Sequence, residues 1–334
     1  MTSSREVRLL TRPVGAPTPQ NFALATVEVP DPGPGEVQVR NHWMAVDPAM
    51  RGRMSEAKSY VAPFTLGAAM EGPATGVVTA SNDPAFQPGQ IVWSRLGWRE
   101  SFNAPAAALK LRDCSVLPQQ AHLGFAGITG LTAYAGLLEV AALRPGDVVF
   151  VSAASGGVGS IACQIAKIRG HTVIGSAGGP RKTAYLQDVL GIDAAIDYKA
   201  EPSLTKALAR AAPAGIDVYF DNVGGEHLQA ALSVANRHAR FALCGMISQY
   251  NSTEPPAAPR NLIQAVVKGL RLEGFIALEY AHLEAALLRD VSAWYAAGLL
   301  RPAEAVYEGI ERGLEAFFGL FSGDNLGRTL VKLT

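Results

Sequence analysis

The sequence VVFVSAASGGVGSIACQIAK at residues 148–167 joins a β-branched run to a glycine cluster and then to apolar residues at helical spacing. The first part predicts a buried strand, and the last part predicts a helix that packs on one face. Because glycine lets the backbone approach a ligand closely, the amides at the start of this helix can contact a pyrophosphate. The stretch therefore predicts a phosphate-binding turn at Gly156, Gly157 and Gly159.

Strand-like segments alternate with helical segments from about residue 123 onward. The strands that we expect are DVVFVSA, HTVIGS, AAIDY, IDVYFDN, RFALCG and RLEGFIA. This alternation predicts right-handed crossovers and a parallel sheet. Six such strands match an α/β fold of the Rossmann type, a doubly wound dinucleotide-binding sheet. For the glycines alone, an ordinary strand-to-helix turn is the alternative.

The chain before this region has a different pattern. It is rich in proline and glycine and contains short alternating runs such as EVQVR (36–40) and GVVTA (76–80), which predict antiparallel strands. We expect a β-rich domain at 1–122 and a Rossmann dinucleotide-binding domain at 123–299. The segment 300–334, which ends in the strand-like GRTLVKL, is expected to return to the first domain.

Composition narrows the class of protein. The 334 residues are 49% apolar and 17% charged, and the 29 basic and 29 acidic residues balance. Nucleic acid and anionic membranes are therefore not expected as partners. No run of about 18 apolar residues could span a bilayer, so we expect a cytoplasmic protein. The three cysteines and six histidines lack the local spacing of zinc ligands, so no catalytic metal is expected.

The segment after the second strand indicates which dinucleotide is bound. It reads GSAGGPRK (175–182), with no carboxylate to accept hydrogen bonds from a free ribose hydroxyl. Arg181 and Lys182 would instead offer cations to a 2′-phosphate. This pattern favours NADPH over NADH, although a solvated basic start to the next helix is the alternative.

Several motifs together resemble a known family. They are VDPAMRGRM (46–54), GITGLTAY (127–134), VSAASGGVGS (151–160), DVYFDNVGGE (217–226), CGMISQYN (244–251) and GDNLGRTLVKL (323–333). The chain resembles the zinc-free medium-chain dehydrogenases/reductases, in the branch of leukotriene B4 12-hydroxydehydrogenases/prostaglandin reductases and 2-alkenal (double-bond) reductases. The resemblance implies a GroES-like catalytic domain beside the Rossmann domain. It also implies a homodimer, and the sixth strand, as an outer edge, would need such cover. A monomer with a loop over this strand is the alternative.

The resemblance also implies cofactor contacts at matching positions. They are Gly156, Gly157, Val158 and Gly159 at the pyrophosphate, Lys182 and Tyr198 at the adenosine ribose phosphate, and Asn222, Cys244, Phe275, Ile276 and Asn325 along the ribose and nicotinamide. Taken alone, Cys244 fits a small buried core residue, Asn222 a turn former and Tyr198 a strand-end aromatic.

The missing zinc ligands constrain the chemistry. Without zinc to polarise an oxygen, the hydride acceptor must already be electrophilic, and an α,β-unsaturated aldehyde or ketone is such a substrate. Hydride from NADPH would reach the β-carbon, and a hydrogen-bond donor would stabilise the enolate. Tyr250 of ISQYN, at the end of the fifth strand, is the candidate donor, and a ribose hydroxyl or a water is the alternative. An NADPH:quinone reductase and a non-catalytic NADPH-binding protein are the alternative functions.

Overall fold

The computed structural model describes residues 1–333, and these form two compact units. Unit 1 comprises Met1–Leu123, Glu304–Asn325 and the residues from Thr329 onward. Unit 2 comprises Gly124–Ala303 and Leu326–Arg328. Each unit has its own sheet and its own apolar core.

The elements follow one another in chain order. The strands are β1 (Thr2–Leu9), β2 (Phe22–Val29), β3 (Glu36–Ala45), β4 (Ala74–Ser81), β5 (Ile91–Ser94), β6 (Ser101–Pro105), β7 (Lys110–Leu111), β8 (Val148–Val151), β9 (Thr172–Ala177), β10 (Ala194–Asp197), β11 (Ile216–Asp221), β12 (Ala235–Leu243), β13 (Arg271–Gly274), β14 (Glu304–Glu308) and β15 (Arg328–Lys332). The α-helices are α1 (Met50–Arg53), α2 (Ile128–Ala135), α3 (Gly157–Ile168), α4 (Pro180–Ala184), α5 (Leu204–Ala211), α6 (Gly225–Val234), α7 (Ile263–Lys268), α8 (Glu284–Ala296) and α9 (Gly313–Ser322). Helices α2 and α4 continue as π-helical turns at Gly136–Val140 and Tyr185–Val189. Short 3₁₀ helices lie at Pro19–Asn21, Ala106–Ala108, Gln119–Leu123, Ile247–Gln249, Ala277–Leu283 and Ile310–Arg312.

The sheet of unit 2 has six parallel strands in the order β10-β9-β8-β11-β12-β13. The strand order reverses between β8 and β11, which places a crevice outside the carboxyl ends of these two strands. Each of the six predicted segments supplies one of these strands. The predicted α/β doubly wound fold is therefore confirmed.

Aromatic packing holds the centre of this sheet. Phe150, Tyr219 and Phe241 lie on neighbouring strands β8, β11 and β12, and all three are buried. The Phe150 and Tyr219 rings stack with centroids 5.1 Å apart, and the Phe241 ring meets Tyr219 edge-on at 5.3 Å. Such ring pairs stabilise the folded state beyond the contribution of the apolar area that they bury. The packing fixes the three strands whose carboxyl ends carry the turns described below.

Unit 1 contains a mostly antiparallel sheet in the order β14-β15-β3-β4-β5-β7, with β6 also paired to β3. Strand β15 pairs with β3 through Leu330 and Ala45, so the last strand of the chain lies inside this sheet. The core contains Trp98, whose ring meets Phe317 of α9 edge-on at 6.5 Å. A two-stranded sheet of β1 and β2 completes the strands of this unit.

Candidate active site

The glycine turn joins β8 to α3 at the carboxyl edge of the parallel sheet. The Ala154 N–H donates to the Ser176 carbonyl at 2.9 Å, and the Gly156 N–H donates to the Ala153 carbonyl at 3.0 Å. A Cβ at Gly159 would lie 2.3 Å from the Ala153 carbonyl oxygen, so this close approach requires glycine. The first turn of α3 carries no acidic residue, and its leading N–H groups lack intrahelical acceptors. The turn thus has the geometry of an anion site.

A C-terminal segment lies beside this turn. The Gly327 N–H donates to the Ser155 carbonyl at 2.7 Å, and Gly327 forms a parallel bridge with Gly156. The buried Arg328 side chain follows, with its Cδ 3.5 Å from the place that a Cβ on Gly157 would occupy. Sequence reasoning missed Arg328, although it stands in the motif GDNLGRTLVKL from which only Asn325 was chosen.

Basic and phenolic side chains converge on the loop after β9. A Cβ at Gly178 would lie 3.1 Å from the Tyr198 hydroxyl oxygen and 2.9 Å from Lys199 Cε. Lys182 lies in the first turn of α4, which begins directly after this loop. Sequence reasoning missed Lys199, whose only signal was its place next to Tyr198 in IDYK. The donors at this loop suit the dianionic charge of a 2′-phosphate.

A carboxylate beside this loop already accepts hydrogen bonds from the backbone. Asp197, the last residue of β10, accepts hydrogen bonds from the Gly179 N–H at 2.9 Å and the Lys199 N–H at 3.1 Å. Its Oδ1 therefore holds the backbone of the loop in place. The loop fits NADPH better than NADH, because β9 itself ends in Ala177 without an acidic side chain.

The Tyr198 ring contacts the neutral imidazole of His227 edge-on. Its centroid lies 5.1 Å from that of His227 on α6, with the rings at 76°. Burial lowers the pKa of His227 to about 4, so this imidazole is uncharged at neutral pH. The contact orients Tyr198 without adding a charge.

Asn222 and Cys244 lie at the carboxyl ends of β11 and β12. The Asn222 side-chain amide donates to the Ser152 carbonyl at 2.7 Å, which links the turn after β11 to the end of β8. The Cys244 N–H donates to the Asp221 carbonyl at 2.9 Å. Burial, with a smaller contribution from Asp221, raises the pKa of the Cys244 thiol to about 12. The thiol therefore stays protonated, which makes it a poor nucleophile toward an electrophilic ligand.

Tyr250 follows the 3₁₀ helix Ile247–Gln249 and folds back over the turn after β12. A Cβ at Gly245 would lie 2.9 Å from the Tyr250 hydroxyl oxygen, so the absent side chain of Gly245 makes room for the phenol. The Tyr250 side chain is half-buried. The hydroxyl thus lies at the carboxyl edge of the sheet, where ligands of open α/β sheets bind.

The remaining predicted residues are placed differently. The Phe275 ring, just after β13, packs edge-on against Phe220 at 6.2 Å and Tyr280 at 6.0 Å. Ile276 follows it and is half-buried. Asn325 belongs to unit 1, whereas the other predicted site residues belong to unit 2. Unit 2 therefore brings those other residues to the carboxyl edge of one sheet.

Residues 1–333 contain neither a metal-binding cluster of side chains nor a membrane-spanning helix. No group of three or more His, Cys, Asp or Glu side chains among them is placed to hold a metal ion. No helix in this part of the chain is long and apolar enough to cross a membrane.

Two family models match the chain. Residues 5–111 match the N-terminal domain of oxidoreductase, and residues 157–292 match the zinc-binding dehydrogenase model. The NADP⁺-dependent 2-alkenal reductase of Nicotiana tabacum is 40% identical over 339 residues, covering 99% of this chain and 98% of the relative. The NADPH-dependent curcumin reductase of Escherichia coli is 38% identical over 331 residues, covering 97% and 95%. The crystal structure of CurA from Vibrio vulnificus in complex with NADPH is 38% identical, with a TM-score of 0.93 over 99% of each chain.

The parallel sheet with its glycine turn defines a dinucleotide-binding α/β protein. The chain belongs to the medium-chain dehydrogenase/reductase family, in its reductase branch, and it is an oxidoreductase. The family resemblance predicted from the sequence and the prediction that the protein is an enzyme are both confirmed.

Proposed function

We propose that this protein reduces the C=C bond of α,β-unsaturated aldehydes and ketones, with NADPH as the hydride donor and without a metal ion. The observation that carries the proposal is the position of the Tyr250 hydroxyl over Gly245, at the same sheet edge as the glycine turn. The similarity to a 2-alkenal reductase supports the same class of substrate.

NADPH is the cofactor, as it is in the similar CurA structure and in the NADPH-dependent curcumin reductase. In this chain the turn at 156–159 would hold the pyrophosphate, and Lys182, Tyr198 and Lys199 would hold the 2′-phosphate. Asn222 and the turn after β12 would border the nicotinamide half. When bound, NADPH supplies a hydride that reaches the β-carbon of the substrate.

The residues of the chain perform the polar part of the reaction. The Tyr250 hydroxyl donates a hydrogen bond to the carbonyl oxygen of the substrate, where negative charge develops as the enolate forms. The α-carbon then takes a proton from solvent water, and the product is the saturated carbonyl compound. Because its thiol is protonated, Cys244 does not add to the electrophilic β-carbon.

A substrate panel tests the reaction. Loss of NADPH absorbance is followed with 4-hydroxynonenal, an aryl butenone, a 2-alkenal and a quinone, and products are identified by mass. A saturated aldehyde or ketone from any of the first three supports the proposal. Turnover of the quinone alone would instead favour the quinone reductase. Tight NADPH binding without any turnover would favour the non-catalytic binding protein.

Lys182→Ala is expected to weaken NADPH binding about 10- to 100-fold while changing NADH binding little, because a charged hydrogen bond to the 2′-phosphate is lost. Dissociation constants from quenching of protein fluorescence give the NADPH/NADH ratio directly. Lys167→Ala is the control, since Lys167 lies in the last turn of α3, at the end opposite the glycine turn. An unchanged ratio in Lys182→Ala would remove this residue from the phosphate site.

We also propose that the protein is a cytoplasmic homodimer. Strand β13 lies at an edge of the parallel sheet, and exposed apolar side chains precede it on and beside α7: Leu262, Ile263, Val266 and Val267. Pairing of two such edges across a twofold axis would cover them. Analytical ultracentrifugation would give twice the mass of one chain, and a single-chain mass would contradict the dimer.

A further inference from the structure

A buried carboxylate at the end of β11 organises the turns on the nicotinamide half of the sheet. Asp221 is fully buried, and such a charge needs several hydrogen bonds to be tolerated. Its Oδ1 accepts from the Val223 N–H at 2.9 Å and the Gly224 N–H at 2.8 Å. It also accepts from the Tyr219 hydroxyl at 2.7 Å and the Ser152 hydroxyl at 3.2 Å.

The main-chain carbonyl of Asp221 also contacts the turn after β12. Its carbonyl accepts from the Cys244 N–H at 2.9 Å and the Gly245 N–H at 3.0 Å, which lie directly after β12. Ser152, which donates to the carboxylate, accepts from the Asn222 N–H at 2.9 Å. The carboxyl ends of β8, β11 and β12 are therefore joined through this one residue.

The Asp221 carboxylate is not the only group that holds strands β8, β11 and β12 together. The aromatic stack of Phe150, Tyr219 and Phe241 already packs the same three strands. The carboxylate also accepts from the two N–H groups of the turn at 223–224. Its Oδ2 is buried without a hydrogen-bond partner in residues 1–333. A carboxylate kept here at the cost of desolvation indicates a demand for exact placement of that turn.

We propose that Asp221 is a positioning residue whose carboxylate aligns Asn222 and the turn that follows it for the nicotinamide half of NADPH. The adenosine half of a dinucleotide lies over β8, β9 and β10 in this fold, and the nicotinamide half lies over β11, β12 and β13. Loss of the Asp221 carboxylate therefore affects the nicotinamide half more than the adenosine half. The inference rests on the proposed NADPH site.

The test compares two ligands, NADPH and adenosine 2′,5′-bisphosphate, which carries only the adenosine half. Asp221→Asn is expected to weaken NADPH binding about tenfold and to change adenosine 2′,5′-bisphosphate binding less than about twofold, because three of the four donors to Oδ1 lie on β11 or in the turn after it. Lys182→Ala is expected to weaken both ligands. Calorimetry measures both dissociation constants without any turnover.

Asp217→Asn is the matched control, since Asp217 lies on the same strand near its other end. Its carboxylate accepts from the Val148 N–H at 3.0 Å and the Asn236 side-chain amide at 2.9 Å. This variant is expected to lose stability but to keep the wild-type ratio of the two dissociation constants. A purely structural role for Asp221 would give the same result as Asp217→Asn.

Tyr219→Phe provides a milder variant if Asp221→Asn does not fold, since it removes only one donor to Oδ1. It is expected to weaken NADPH binding about fivefold and to leave adenosine 2′,5′-bisphosphate binding unchanged. Equal effects on both ligands, or none, in the folded variants would overturn the inference alone. A wild-type protein that binds neither ligand would overturn the proposed cofactor site together with the inference.

Discussion

Tyr250→Phe is expected to lower the turnover number for an enone about 100-fold, while the dissociation constant for NADPH changes little. The phenol is the proposed donor to the developing enolate, and removal of one such donor typically costs about 100- to 1,000-fold in rate. The effect falls on turnover because the hydrogen bond strengthens as charge develops. Steady-state kinetics with the best enone of the panel, together with NADPH titration, give the two quantities.

Two further variants make the Tyr250 test specific. Tyr295→Phe removes another half-buried phenol of unit 2 and keeps the ring stacked on Phe125, so it should retain wild-type turnover. Gly245→Ala leaves the phenol in the chain but places a methyl group 2.9 Å from its oxygen, so turnover should fall here as well. Full activity of Tyr250→Phe would exclude this hydroxyl from the mechanism and leave a ribose hydroxyl or a water as the donor.

Arg240→Leu is expected to destabilise the protein by about 3–5 kcal/mol, since removal of one partner leaves a buried charge uncompensated. The Arg240 and Asp147 side chains form an ion pair and are each only 8% exposed. Arg240 Nε also donates to the Ala141 carbonyl at 2.7 Å, and Asp147 accepts from the Arg144 N–H at 2.7 Å. The free energy of unfolding is measured with urea, followed by circular dichroism.

The control for this prediction is an exposed ion pair in the same unit. Arg289 pairs with Asp290 at 3.0 Å, but its side chain is 72% exposed. Arg289→Leu should therefore change stability by less than about 1 kcal/mol. Combining Arg240→Leu with Asp147→Asn should recover part of the loss, because the remaining partner is then neutral. Equal stability of Arg240→Leu and the wild type would contradict a stabilising role for this pair.

The parallel sheet was predictable because its evidence is local. Each of the six strands is a short apolar run between turn residues, and the helical spacing between the runs leaves few topologies open. The glycine turn is also local, since strand, glycines and helix stand within twenty residues of sequence at 148–167. Preference for NADPH was readable for the same reason, from the absence of a carboxylate after β9.

Contacts between residues that are remote in sequence could not be predicted from such local patterns. Arg328 lies beside Gly157 although about half the chain separates them, and Lys199 reaches Gly178 only because β10 pairs with β9. The sequence marked Asp221 as part of a motif but gave no reason for its acidic side chain. That reason lies in the donors from Ser152 and from the turn at 223–224 that converge on one oxygen.

The amino-acid sequence was enough to predict the doubly wound sheet, the position of the glycine turn and the kind of dinucleotide, because each depends on residues close together in the chain. The folded chain was needed to show which side chains surround that turn and that the Tyr250 hydroxyl lies close to Gly245. The physical reason is that strand pairing and packing bring together groups that are remote in sequence. The spacing of these groups along the chain therefore does not predict their contact.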